Sequence, residues 1–187
     1  MMEEKAVSIH DDVEEILFTE EQLREIVARV GAEINRDYAG KNLLMVSVLK
    51  GSLIFMADLM RQITIHCAID FLAVSSYGNG TTSSGEVRIL KDLDLSLAGK
   101  DILVVEDILD SGNTLAFLTD YLRAKGAASV TIATLLDKPA RREKPIKADY
   151  VGFEVPDEFV VGYGLDYAQQ YRNMPYIGVL KPEVYSK

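Results

Sequence analysis

One cysteine, Cys67, and two histidines, His10 and His66, stand in a chain of 187 residues. A lone cysteine excludes an internal disulfide. So small a stock of Cys and His also excludes a Cys/His zinc cluster, which leaves oxygen ligands for any metal. No apolar run approaches the roughly 20 residues that span a bilayer, and the N-terminus lacks the basic start and apolar core of a signal peptide. A soluble, cytoplasmic protein without membrane contact is expected. Positive charge is short as well: 20 Lys and Arg face 29 Asp and Glu, a net charge of −9. That balance argues against nucleic acid as a partner, because neutralising a phosphate backbone takes concentrated basic surface. A small anionic ligand stays open, provided that backbone N–H groups, a few Lys or Arg side chains or Mg²⁺ receive it.

What the chain does have is apolar content, 48% of its residues, enough for one good core. A single domain over residues 1–187 is expected. The first fifteen or so residues are acidic and weakly patterned, and read as a mobile or loosely packed lead-in. Thr19-Glu-Glu-Gln22 has the spacing of a capping box, and Leu23, Ile26, Val27 and Val30 follow at helical period, so a helix runs from Thr19 to near Gly40. Short apolar runs then read as buried strands: Leu43 to Leu49, Ala68 to Val74, Ile102 to Val105, Val130 to Leu136 and Tyr150 to Phe153. Helical stretches over Ser52 to Ile63 and Thr114 to Lys125 lie between them. This alternation predicts an α/β fold with a mainly parallel twisted sheet flanked by helices. Ser75 to Gly85, SSYGNGTTSSG, reads as a long loop of the kind that serves as a lid.

The strand ending at Val105 leads into Glu106-Asp107, Ile108-Leu109, Asp110-Ser111-Gly112-Asn113-Thr114, and then a helix. In open α/β sheets ligands sit beyond the carboxyl ends of strands, and a helix N-terminus with hydroxyls and an unobstructed glycine grips phosphate. The Walker spacing is absent. Two adjacent carboxylates are costly to bury unless something positive or hydroxyl-bearing meets them, as a ribose diol carrying Mg²⁺ would. Taken alone, the three acids fit a solvated, helix-capping loop equally well. The ordered string is more specific.

VVEDILDSGNTL, Val104 to Leu115, resembles the phosphoribosyl-pyrophosphate signature of type I phosphoribosyltransferases, in the form found in the hypoxanthine-guanine branch. The resemblance extends over about Glu15 to Pro182. It implies that fold, with a core over about 36–155 and a hood from about 156–187 joined by part of the N-terminus. It further implies transfer of a 5-phosphoribosyl group to a 6-oxopurine, Mg²⁺ as cofactor, and a homodimer or homotetramer. By position, Asp110, Ser111, Gly112, Asn113 and Thr114 cradle the 5′-phosphate, Glu106 and Asp107 lie by the ribose hydroxyls, and Asp110 is the candidate acid/base group. Lys50 and Gly51 match the pyrophosphate loop, which in the family often holds a cis peptide. Arg172 meets pyrophosphate, and Glu106, Asp107 and Asp166 are the candidate metal ligands. Lys138 faces the purine carbonyl, Phe159 stacks on the base, and Val160 and Asp166 complete the purine site. Ser76 and Tyr77 belong to the lid.

Without the resemblance, Lys50-Gly51 reads as an ordinary turn, Lys138 as a solvated lysine, and Phe159 and Val160 as core. Arg141-Arg142 reads as a solvated basic pair. A change of base, for example to xanthine, keeps the same chemistry. A non-catalytic sensor that binds nucleic acid is the reading from another class, and the acidic balance speaks against it.

Overall fold

The computed structural model describes residues 8–76 and 87–186. The helix expected from the capping box is α1, Glu20–Asp37: the Thr19 side chain accepts from the Gln22 N–H, and the Gln22 side chain reaches back to the Thr19 N–H. Two of the donors left open at the helix start are thereby satisfied. Thr19→Ala should lower stability by about 1 kcal/mol and leave the m-value unchanged. Urea unfolding checks it, and an unaltered midpoint would mean that packing alone sets this helix start.

The following elements are β2, Leu43–Leu49; α2, Leu53–Gln62; β3, Cys67–Ser76; β4, Val87–Lys91; β5, Asp101–Leu109; α3, Asn113–Ala124; β6, Ser129–Asp137; and β7, Tyr150–Glu154. Their strands form one six-stranded sheet in the order β4-β3-β2-β5-β6-β7, parallel throughout except for β4. Side chains alternate across it. Leu43, Met45, Leu103 and Val105 pack with Leu23, Val27, Phe55 and Met56 of α1 and α2, while Leu44, Val46, Ile102 and Val104 pack with Leu115, Leu118 and Leu122 of α3. Burial on both faces explains why β2 and β5 read as unbroken apolar runs. Each such Leu or Ile removed from water contributes about 1.5–3 kcal/mol.

The structure departs from expectation in three places. Strand β5 continues past Val105 to Leu109, because Glu106, Ile108 and Leu109 still pair with Thr134, Leu136 and Asp137 of β6. Glu106 and Asp107 are therefore strand residues and not part of a loop. Strand β4 was not foreseen. The N-terminal lead-in is more structured than expected: a 3₁₀ turn over Ile9–Asp12 precedes β1, Val13–Phe18. β1 pairs antiparallel with β9, Ile177–Leu180, which also pairs with the short β8, Val160–Val161, to give a second sheet in the order β1-β9-β8. The Tyr171 hydroxyl donates to Asp12 at 2.7 Å, and Lys181 Nζ donates to the Asp11 carbonyl at 2.5 Å. These ties fasten the start of the chain to its end. A four-residue helix, α4, follows over Pro182–Tyr185.

Candidate functional site

The parallel register brings the carboxyl ends of β2, β5 and β6 to one edge of the sheet, and most of the expected residues gather there. Beyond β5 the chain turns through Asp110-Ser111-Gly112 into the N-terminus of α3. Gly112 caps that helix at φ +83°, and a Cβ there would lie 2.6 Å from the side chain of Ile146, so both backbone and space require glycine. The Asn113 N–H donates to Ser111 Oγ at 3.3 Å, and the Asn113 side chain reaches Glu143 at 2.7 Å.

Glu106 and Asp107 lie just before this turn. Burial pushes the Glu106 carboxyl well above its ordinary range, and the neighbouring Asp107 pushes it further. Burial also raises Asp107, although the Ile108 N–H at 2.8 Å partly offsets it. Among the described residues, Glu106 Oε2 and Asp110 Oδ1 are buried without any hydrogen-bond partner. Orphaned buried oxygens at a strand end mark a place where a donor or cation is expected to bind.

The turn after β2 faces Asp107. The Leu49–Lys50 peptide is cis, as the resemblance implies. Beneath it the buried Ser47 and Ser52 hydroxyls are 2.8 Å apart, and Ser52 donates to the Val48 carbonyl at 2.6 Å. Gly51 packs so closely on Asp107 that a Cβ would fall 1.8 Å from Oδ2. On its other side Gly51 meets Gly164, where a Cβ would lie 2.1 Å from the Gly51 carbonyl oxygen. The loop from 163 to 172 thus closes over the turn. Lys50 Nζ donates to the Gln169 side chain at 3.0 Å, Arg172 donates to the Gly164 carbonyl at 2.7 Å, and Arg172 pairs with Asp166 at 2.7 Å. Tyr163, Ala168, Gln169 and Tyr171 all have φ between 51° and 74°. Such strain persists only where neighbours over-determine it. The Tyr163 hydroxyl bond to Asp58 at 2.6 Å and the Tyr171 bond to Asp12 supply that constraint.

Lys138 follows β6 and is 5% exposed, so the solvated alternative does not hold. Its Nζ donates to the Glu158 carbonyl at 2.8 Å and lies 3.8 Å from Asp157. Phe159, 41% exposed, presents an accessible ring beside this lysine. It stacks on Tyr185 with centroids 5.1 Å apart and meets Tyr167 edge-on at 5.6 Å. Val160 is buried in β8. Of the Ser76-Tyr77 pair, Ser76 ends β3 opposite Val87, whereas Tyr77 and the rest of the predicted lid to Gly85 lie outside the described residues.

Asp166 is occupied within its own loop. Both its oxygens are engaged, by Arg172 and by the Gln169 N–H at 2.8 Å, and among the described residues no three acidic, His or Cys side chains form a metal-holding group. Arg142 also departs from expectation. Arg141 is exposed and pairs with Asp157 at 3.3 Å, but the Arg142 side chain is only 17% exposed and ion-pairs with Asp137. A cavity of about 520 Å³ lies between α1, α2 and the 172–175 segment; Tyr163 and Arg172 of the closing loop line it, but neither Lys138 nor any residue from Glu106 to Thr114 does.

The phosphoribosyl transferase domain model matches residues 14–168. The hypoxanthine-guanine phosphoribosyltransferase of Bacillus subtilis is 58% identical over 174 residues, covering 93% of this chain and 97% of that protein. This chain belongs to the hypoxanthine-guanine phosphoribosyltransferase family. A solved hypoxanthine phosphoribosyltransferase from Staphylococcus aureus superposes with a TM-score of 0.93 at 53% identity, covering 98% of this chain and 100% of that one. The bifunctional protein TilS/HprT of Listeria monocytogenes is 56% identical over 96% of this chain, which spans only 28% of that protein's length. The matched family region contains the β5 edge, the Lys50-Gly51 turn, Lys138 and Asp166. No helix among the described residues is long and apolar enough to cross a membrane.

Proposed function

We propose that this chain transfers the 5-phosphoribosyl group of phosphoribosyl pyrophosphate to N9 of hypoxanthine or guanine, giving IMP or GMP and pyrophosphate in purine salvage. The observation that carries this reading is the β5 edge, where the buried Asp107 and the buried Oε2 of Glu106 stand just before the turn into the start of α3, near the buried Lys138. The 5′-phosphate meets the N–H groups and hydroxyls of Ser111 to Thr114, at the positive end of α3. Lys50, Gly51 and Arg172 receive pyrophosphate. An ammonium has three donors, so Lys138 can keep the Glu158 carbonyl and still donate to the 6-oxo group of the base, where adenine would offer another donor. Phe159 stacks on the purine and Val160 borders it.

The residues fit Mg²⁺. This ion commonly takes one or two protein carboxylates and completes its shell with substrate oxygens and water, and Glu106 offers an unpartnered buried oxygen beside Asp107. Glu106 and Asp107 would hold it with the ribose hydroxyls, and Asp166 would join on the pyrophosphate side by releasing Arg172. When bound, Mg²⁺ neutralises charge on the departing pyrophosphate. The chain itself keeps donor and base in line while the bond from ribose C1 to pyrophosphate breaks and the bond to N9 forms. Asp110 holds or moves the proton at N7 of the base. The lid with Ser76 and Tyr77 keeps water from the ribosyl cation.

The protein is read as one domain whose smaller sheet forms the hood, acting in the cytoplasm. Assembly as a homodimer or homotetramer belongs to the same reading. The test is one assay in which phosphoribosyl pyrophosphate and Mg²⁺ are offered with hypoxanthine, guanine, xanthine and adenine in turn. Product with the first two and none with adenine is expected. Absence of product with every base would reject the enzymatic reading.

A further inference from the structure

Arg142 looked like half of a solvated basic pair, yet its guanidinium is held on every side. Nε donates to the Asp110 carbonyl at 2.9 Å, Nη1 to the Ile146 carbonyl at 2.7 Å, and Nη2 to the Leu109 carbonyl at 3.3 Å and to the Asp137 carboxylate. Asp137 ends β6 and pairs in register with Leu109 at the end of β5. One planar fork therefore joins the ends of both strands to the backbone of Asp110.

The turn that carries Arg142 lies along the back of the phosphate loop. The Ser111 carbonyl accepts from the Glu143 N–H at 2.9 Å and from the Lys144 N–H at 3.1 Å. Asn113 bonds Glu143, and the space a Gly112 side chain would need is filled by Ile146 and by the aliphatic stem of Arg142. The carbonyls of Asp110 and Ser111 are thus turned towards the 142–146 segment. With those carbonyls engaged behind the loop, the N–H groups of the same two trans peptides, those of Ser111 and Gly112, point to the opposite side.

We propose that Arg142 is a positioning residue for phosphoribosyl transfer, setting the backbone of the Asp110–Thr114 loop through the Asp110 and Leu109 carbonyls. It does not touch substrate. A lysine would keep the charge opposite Asp137 but could not reproduce a planar fork that reaches four acceptors at once. The role therefore depends on guanidinium geometry and not on charge.

The inference rests on reading Asp110–Thr114 as the ribose-phosphate loop, and the test separates the two. Wild type, Arg142→Lys and Arg142→Ala are assayed with hypoxanthine while each substrate is varied, and thermal unfolding reports the folded fraction. Arg142→Lys is the informative variant, because it preserves the charge if Arg142→Ala fails to fold. Expected is a kcat/KM for phosphoribosyl pyrophosphate lower by about 10- to 100-fold in Arg142→Lys, with KM for hypoxanthine within about twofold of wild type. Wild-type KM values with kcat reduced only in proportion to the folded fraction would overturn the positioning role, as would full activity in Arg142→Lys. An inactive wild type would instead remove the ribose-phosphate reading, and the proposal with it.

Discussion

Replacing Asp110 with asparagine should lower kcat by about 10²- to 10⁴-fold and raise KM for phosphoribosyl pyrophosphate only slightly. The substitution is nearly isosteric, and the Asp110 carbonyl is held from outside the side chain by Arg142 at 2.9 Å, so the loop should keep its course. What is lost is a buried carboxylate oxygen, Oδ1, that has no partner among the described residues. An amide can still accept or donate a hydrogen bond there but cannot take up a proton at the working pH. In the proposed function the phosphate is received by Ser111 to Thr114 and the helix start, so donor affinity should change little. Single-turnover and steady-state kinetics with hypoxanthine, both substrates varied, make the measurement. Unchanged turnover would remove Asp110 from the chemistry, and a rise in KM alone would reassign it to donor binding.

How far such roles could be read before any coordinates follows from the physics of each signal. Strand β2 is buried on both faces, so its apolar run is contiguous and its limits, Leu43–Leu49, coincide with the expected ones. Helices α2 and α3 fall within one residue of their expected bounds, because periodic burial and flanking turn residues agree. Strand β1 was missed for the opposite reason: Glu14, Glu15 and Ile16 are exposed at the edge of a small sheet, and its partner β9 is far away along the chain. Pairing over such a separation has no local signature. The extent of β5 was misjudged because Glu106 and Asp107 look like the start of a loop, whereas ladder bonds to β6 carry them inside the sheet. Violations of this kind, polar groups where the fold wants apolar ones, concentrate at functional sites.

Arg142 marks the limit of motif reading. Nothing in Arg-Arg-Glu-Lys distinguishes the arginine that pairs with Asp157 on the surface from the one that holds the Leu109 and Asp110 carbonyls. Only the return of the chain past the ends of β5 and β6 separates them. Lys138, in contrast, could be singled out by resemblance alone, since a lysine before proline carries no physical mark. Its near-complete burial supplies that mark afterwards. A buried lysine needs acceptors, and the Glu158 carbonyl with Asp157 nearby provides them while leaving donor capacity for a ligand.

Gly51→Ala is expected to reduce activity by at least about 100-fold and to lower stability by about 1–3 kcal/mol. The added Cβ would stand 1.8 Å from Asp107 Oδ2 and 2.7 Å from its Cγ. Asp107 cannot swing clear cheaply, because its carboxylate is buried and accepts from the Ile108 N–H. Nor can the turn retreat: the Gly51 carbonyl already fills the space that a Gly164 side chain would need, and the loop behind it is tied down by Arg172 on the Gly164 carbonyl and by Tyr163 on Asp58. One methyl group therefore strains three segments that meet at the site: the turn after β2, the carboxylates of β5 and the loop from 163 to 172. Gly126→Ala is the control, since that glycine has φ +92° but open space around it. It should lose stability through backbone strain alone and keep its specific activity. Denaturant unfolding with kinetics on both variants separates the two effects, and a fully active Gly51→Ala would show that Asp107 has freedom the packing does not suggest.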